Sequence, residues 1–223
     1  DGIDLGDSGV DTHGTVVRGN LIARNSGHGV LLGNGSTVSA TTIGGTSGDL
    51  ANSITGNGGD GVAVLAGADT AVVGNEIWGN GGMAIDLAND GPTANDPGDA
   101  DAGPNGLQNA PVLTSAASVD AGTTVVGSLH SAASTDYRVE VFATAPVRAD
   151  AANGEAERFL GALTAKTDGS GNATFSTTLA GRWAMAGDVV VATAPPEGPP
   201  LGGTSEPSAA VIATSTANAV VVD

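Results

Sequence analysis

Between Asn52 and Leu87 the alternation of apolar and polar positions comes in short bursts, and the bursts repeat. The phrase Asn52-Ser53-Ile54-Thr55-Gly56-Asn57-Gly58-Gly59 returns as Asn75-Glu76-Ile77-Trp78-Gly79-Asn80-Gly81-Gly82. Each copy leads into a brief apolar run, Gly61-Val62-Ala63-Val64 and Ala84-Ile85-Asp86-Leu87. An upstream copy, Asn20-Leu21-Ile22-Ala23-Arg24-Asn25-Ser26-Gly27, precedes His28-Gly29-Val30-Leu31-Leu32, and Asp1-Gly2-Ile3-Asp4-Leu5 matches the tail of another. Matching asparagines lie 32 residues apart from Asn20 to Asn52 and 23 apart from Asn52 to Asn75. Nowhere do apolar residues recur at i, i+3, i+4 and i+7 over three turns, so the segments read as strands and the chain as all-β.

A fixed phrase on a short period is the mark of a stacked solenoid. Two or three short strands per copy, punctuated by Asn and Gly, make one coil of a parallel β-helix. Alternate Val and Ile then point inward, and coils stack about 4.8 Å apart. Residues 1–27, 28–59 and 60–82 are successive coils on this reading, and 83–90 begins a fourth. Asn25, Asn57 and Asn80 align as a ladder of side-chain amides, while Gly27, Gly59 and Gly82 supply the positive φ of sharp corners. The extra length of the second coil falls at 41–49, a loop leaving the stack. Asp1, His28, Asp60 and Met83 align in one column, and Asp4, Leu31, Ala63 and Asp86 in another.

The repeat stops near residue 90. Residues 91–110 carry three prolines and four glycines with no strand alternation, which marks a boundary. From Pro111 the pattern becomes ordinary strand and turn, with strands expected at 111–119, 123–131, 137–145, 159–167, 173–180, 188–194 and 207–214. Asp168-Gly169-Ser170-Gly171-Asn172 reads as a hairpin turn. About seven strands at this spacing predict an immunoglobulin-like sandwich over 111–214, with 215–223 as a tail.

The repeated phrases resemble right-handed parallel β-helix repeats of the pectate-lyase-like superfold, found in large bacterial secreted and surface proteins. The resemblance covers residues 1–90. Residues 159–161, 167–176, 189–194 and 204–208 are similar to Ig-like modules that follow β-helices in bacterial surface proteins. Together they imply an all-β chain, the C-terminal coils of a right-handed parallel β-helix followed by an Ig-like β-sandwich, in a secreted or cell-surface setting. The resemblance implies a fold and no particular activity, since the superfold holds lyases, hydrolases, epimerases, tailspikes and adhesins. The opening in mid-repeat predicts a piece of a longer protein.

Charge narrows the partners. The net charge is −17, with one lysine and six arginines. Nucleic acid is excluded as a partner because phosphate contacts need clustered cations, and an anionic membrane surface is disfavoured. No apolar run is long enough to insert into a membrane. Without cysteine there are no disulfides and no thiolate metal sites. Carbohydrate or another surface protein remains as the expected partner.

The boundary segment offers the best chemistry. Asn95, Asp96, Asp99, Asp101 and Asn105 place three carboxylates and two amides within eleven residues, with Gly and Pro to bend the chain. Ca²⁺ takes about six to eight oxygens from such loops. No catalytic residue is assigned. His28 and Asp60, adjacent in one column and with Arg24 near by, are the candidates for acid–base work, but solvated corner residues are the expected role. The lyase and polygalacturonase patterns of the superfold cannot be matched residue by residue. His13 and His130 stand without a second ligand, and no serine lies in a GxSxG context. Trp78 is expected outward-facing, packed on a loop rather than free to stack on a sugar. The function expected is a non-catalytic structural or adhesive module, Ca-stabilised. The alternative is a carbohydrate-active enzyme, a polysaccharide lyase or glycoside hydrolase, with most catalytic coils upstream.

Overall fold

The computed structural model describes residues 1–7, 9–149 and 154–215. All but the first residue of the expected 215–223 tail lies outside them. The chain is all-β, with stacked parallel sheets followed by largely antiparallel ones.

The first coil holds β1 (Ile3–Leu5), β2 (Thr12–His13), β3 (Val16–Val17) and β4 (Leu21–Ala23). The second holds β5 (Val30–Leu32), β6 (Val38–Ser39), β7 (Thr42–Gly44) and β8 (Ser53–Thr55). The third holds β9 (Val62–Val64), β10 (Gly67–Ala68), β11 (Ala71–Val73) and β12 (Glu76–Trp78), and β13 (Ile85–Leu87) opens a fourth. Each coil thus has four strands, where two or three were expected. Equivalent strands pair in parallel to give sheets β1-β5-β9-β13, β2-β6-β10, β3-β7-β11 and β4-β8-β12.

Register follows the phrase alignment. Ile22, Ile54 and Ile77 stack inward, as do Val30, Val62 and Ile85. Both columns expected from the sequence are present, since Asp4 pairs with Leu31, Leu31 with Ala63 and Ala63 with Asp86. Like side chains stacked at strand spacing fill the core, each worth about 1.5–3 kcal/mol when fully buried. The extra length of the second coil is not confined to 41–49. β7 lies in the stack, and the additional residues divide between the corner before β6 and the segment after β7, which carries a 3₁₀ turn at Gly48–Leu50.

The glycines need a second correction. Gly27, Gly59 and Gly82 do not have positive φ; the left-handed position lies one residue before each ladder asparagine, at Arg24 (φ 60°), Gly56 (φ 67°) and Gly79 (φ 64°). What Gly82 provides is room, because a Cβ there would sit 2.0 Å from Asp60 Oδ1.

The second half has β14 (Val112–Val119), β15 (Gly122–His130), β16 (Asp136–Thr144), β17 (Arg158–Lys166), β18 (Asn172–Ala180), β19 (Val189–Thr193), β20 (Val211–Ile212) and β21 (Thr214–Ser215). They form two four-stranded sheets, β18-β15-β14-β21 and β17-β16-β19-β20. Ala116, Val125, Leu129 and Phe175 from one sheet meet Tyr137, Val139, Val141 and Leu160 from the other in a shared core. The Asp168–Asn172 turn is therefore not a hairpin: β17 and β18 belong to opposite sheets, and the turn is a corner between them. Asp168 Oδ1 accepts the amides of Ser170 and Asn172 there.

The central strands β16 and β19 of the sheet β17-β16-β19-β20 are covered on both faces along most of their length. Val141 and Val190 point into the sandwich, while Phe142 and Val191 join the solenoid core with Ile77, Ile85 and Leu87. A near-continuous apolar run such as Val189-Val190-Val191 is what a doubly covered strand requires. The sandwich thereby closes the C-terminal end of the solenoid.

Candidate functional site

A parallel coil with nothing stacked on it leaves a row of unpaired amides, and buried amides without partners cost about 1–3 kcal/mol each. Here side chains from the boundary segment and the second half take the place of the next coil's carbonyls. Glu140 Oε2 accepts Gly74 N at 2.7 Å, Glu155 Oε2 accepts Gly79 N at 2.7 Å, and Glu206 Oε1 accepts Leu87 N at 2.9 Å. Thr204 Oγ1 accepts Val72 N, and Asn105 Oδ1 accepts Thr70 N. Ile77 and Ala156 exchange both backbone hydrogen bonds. All three glutamates were missed in the sequence, where Glu140 reads as an ordinary outward polar position of β16.

These carboxyls are held in low-dielectric surroundings. Burial pushes Glu140 up, against the lowering effect of the Gly74 amide and of Arg138, whose Nε lies 2.7 Å from Glu140 Oε1. Glu206 is raised by burial first, although Thr93 and Leu87 amides oppose the shift, and Asp86 adds to it. Asp86 is itself raised by burial and then by Asp60.

The ladders are denser than the sequence suggested. Asn25 Nδ2 donates to Asn57 Oδ1 and Asn57 Nδ2 to Asn80 Oδ1, each at 2.9 Å. A second ladder, unforeseen, runs Asn20 to Asn52 to Asn75. A third uses the mixed column: His28 N donates to Asp1 Oδ1, Asp60 N to His28 Nδ1 at 3.0 Å, and Met83 N to Asp60 Oδ1 at 2.7 Å. His28 and Asp60 are thus not solvated corners. Asp60 is buried and His28 half-buried. His28 Nδ1 also lies 3.1 Å from Asp60 Oδ2. It accepts from the amide when that nitrogen is unprotonated, and donates to the carboxylate when it carries a proton. Arg24 is exposed, and no ion pair or hydrogen bond joins it to either residue among the described residues.

Residues 91–110 are packed rather than loose. Asn95 clasps Ala110 through both its amide atoms, and Asn109 Nδ2 donates to Asp96 O while its Oδ1 accepts Asp96 N. Asn105 plugs into the solenoid end, donating to Thr70 O and Thr204 O. Of the five expected calcium ligands, Asn95 and Asn105 are therefore committed elsewhere. Asp96, Asp99 and Asp101 do converge, each offering an oxygen within 4.8 Å of the other two. Asp99 is already held by Asn109 N at 2.7 Å and Ser131 Oγ at 2.6 Å. Asp101 Oδ1 is enclosed and lacks a hydrogen-bond partner. Burial raises the Asp101 carboxyl, and Asp96 and then Asp99 raise it further. An enclosed, unpartnered carboxylate oxygen beside two more carboxylates fits a hard cation, and these three residues are the ones that could hold it.

Trp78 faces outward at the wall of a cavity of about 450 Å³ between the solenoid flank and the sandwich. The Arg148 guanidinium covers its ring at 4.9 Å and pairs with Glu157. His13 and His130 are exposed, His13 bonded to Ser39. Compared with protein-family models and with curated proteins, the chain has no match.

Proposed function

We propose that the chain is a non-catalytic structural or adhesive module of a secreted or cell-surface protein. It joins coils of a right-handed parallel β-helix to an immunoglobulin-like sandwich, with Ca²⁺ at Asp96, Asp99 and Asp101. The observation that carries this reading is the use made of polar side chains. Glu140, Glu155 and Glu206 seal the solenoid end, and His28 and Asp60 hold the backbone of neighbouring coils. Groups spent on backbone amides are poorly placed to take and return a substrate proton.

The test has two arms. Unsaturated-product absorbance and reducing-sugar assays over acidic and neutral glycans are expected to show no turnover, and His28→Ala is expected to lower thermal stability. Turnover that disappears in a folded His28→Ala variant would establish an enzyme instead. Titration calorimetry is expected to show Ca²⁺ binding at about 10⁻⁴–10⁻³ M, lost in Asp101→Asn. Absence of calcium heat at millimolar concentration would leave the three aspartates as a structural acidic loop.

A further inference from the structure

A groove of about 600 Å³ lies where the second coil's additional segment meets the sandwich loop at 197–201. Its charged lining is Arg18, Arg138 and Glu197. With Glu140, which pairs with Arg138, two cations face two carboxylates, a local balance of charge in a chain of net charge −17. Arg18 is exposed and has no ion pair among the described residues. Arg138 is fixed by its Nε on Glu140, which the Gly74 amide anchors in turn, so its two Nη amines are held in place and remain for another partner. Glu197 is likewise positioned, with Thr164 Oγ1 donating to its Oε1 at 2.8 Å. Val16, Leu50, Val73 and Leu201 give the groove an apolar wall, Val16 being 56% exposed.

We propose that this groove binds a small zwitterion with an apolar body, the chemistry an apolar amino acid presents. Its carboxylate sits at Arg18 and Arg138, its ammonium toward Glu197, and its side chain on the Val16–Leu50–Leu201 wall. A planar guanidinium held rigidly is suited to a carboxylate, since little freedom remains to be lost on binding. A polyanion is a worse fit. Charge extending beyond the groove meets an acidic surface within about a Debye length of 8 Å. The proposal is independent of calcium and of the module's structural role.

The experiment is titration of the full chain with L-leucine, followed by calorimetry and by ligand-observed NMR. A ligand of this size with paired charges is expected to bind at about 1 mM. Leucinamide, which lacks the carboxylate, and 4-methylpentanoate, which lacks the ammonium, are each expected to bind at least about fivefold more weakly. Arg18→Gln, a surface change that leaves the fold intact, is expected to weaken the preference for leucine over leucinamide, Arg138 being retained. Glu197→Gln is expected to abolish the preference over 4-methylpentanoate. No saturation at ten times the expected concentration, or equal binding of all three compounds, would overturn the site.

Discussion

Glu140 lies on a strand of the sandwich, yet its carboxylate accepts the amide of Gly74 on the last full coil at 2.7 Å. Its other oxygen meets Arg138 Nε, and the residue is fully buried. Removing one member of a buried, hydrogen-bonded pair leaves its partners uncompensated, at a cost of about 3–5 kcal/mol. Glu140→Ala is expected to lose about that much in denaturant unfolding, and Glu140→Gln, which keeps an acceptor for Gly74, distinctly less. Equal losses would mean that packing alone matters at this position.

The acid dependence of stability follows from Glu140, Glu206 and Asp86. All three are held above their ordinary values, so the folded state keeps their protons more tightly than the unfolded chain does. Their contribution is fully present below the ordinary range of 3.8 to 4.5 and is lost as pH rises through the folded values. The melting temperature is expected to rise as pH is lowered from 7 toward that range, with a shallower slope in Glu206→Gln. Asp168 acts in the opposite sense at lower pH, because the Asn172 and Ser170 amides hold its carboxyl down. A calorimetric series in which the melting temperature falls steadily from pH 7 to 5 would contradict this account.

Asn57 sits in the middle of a ladder, accepting from Asn25 and donating to Asn80 and Ile22 O, and it is buried. Asn57→Ala is expected to cost about 1–3 kcal/mol through the amides left without partners. Asn34, exposed at a corner, serves as the control and is expected to change stability by under about 0.5 kcal/mol. Equal shifts in melting temperature would remove the ladder as the cause.

Gly82→Ala tests close approach apart from backbone strain, since its φ lies outside the left-handed region while Asp60 Oδ1 occupies the space of a Cβ. A cost of about 1–3 kcal/mol is expected. Against an Asp60→Ala background most of that cost should vanish, a coupling that a double-mutant cycle reads directly.

How far the sequence reaches is visible in these same residues. The asparagine spacing gave the coils and the columns, because identical phrases stacked in register need the same residue at the same corner. It did not place the additional residues of the second coil, since matching asparagines constrain only the total between them. Gly59 and Gly82 supply room and not positive φ, because the crowding there comes from a side chain of the neighbouring coil, which no single coil displays. The hairpin expected at Asp168–Asn172 is instead a corner between sheets, because a turn's residues do not say which sheet its strands enter. Asn95 and Asn105 are near the aspartates along the chain, but the backbone of Ala110 and Thr70 engages them instead. The available signal for the covered solenoid end was the unbroken Val189-Val190-Val191 run, which has no solvent face.

The capping contacts at Gly74, Gly79 and Leu87 have a mechanical consequence. They are spread over the third coil and the strand that opens the fourth, and reach the sandwich through three separate segments, with the Ile77–Ala156 bridge among them. Tension pulling the sandwich away from the coils is borne by all of them together, rather than by one bond after another. Such a joint does not unzip from an edge, and its rupture is a single event.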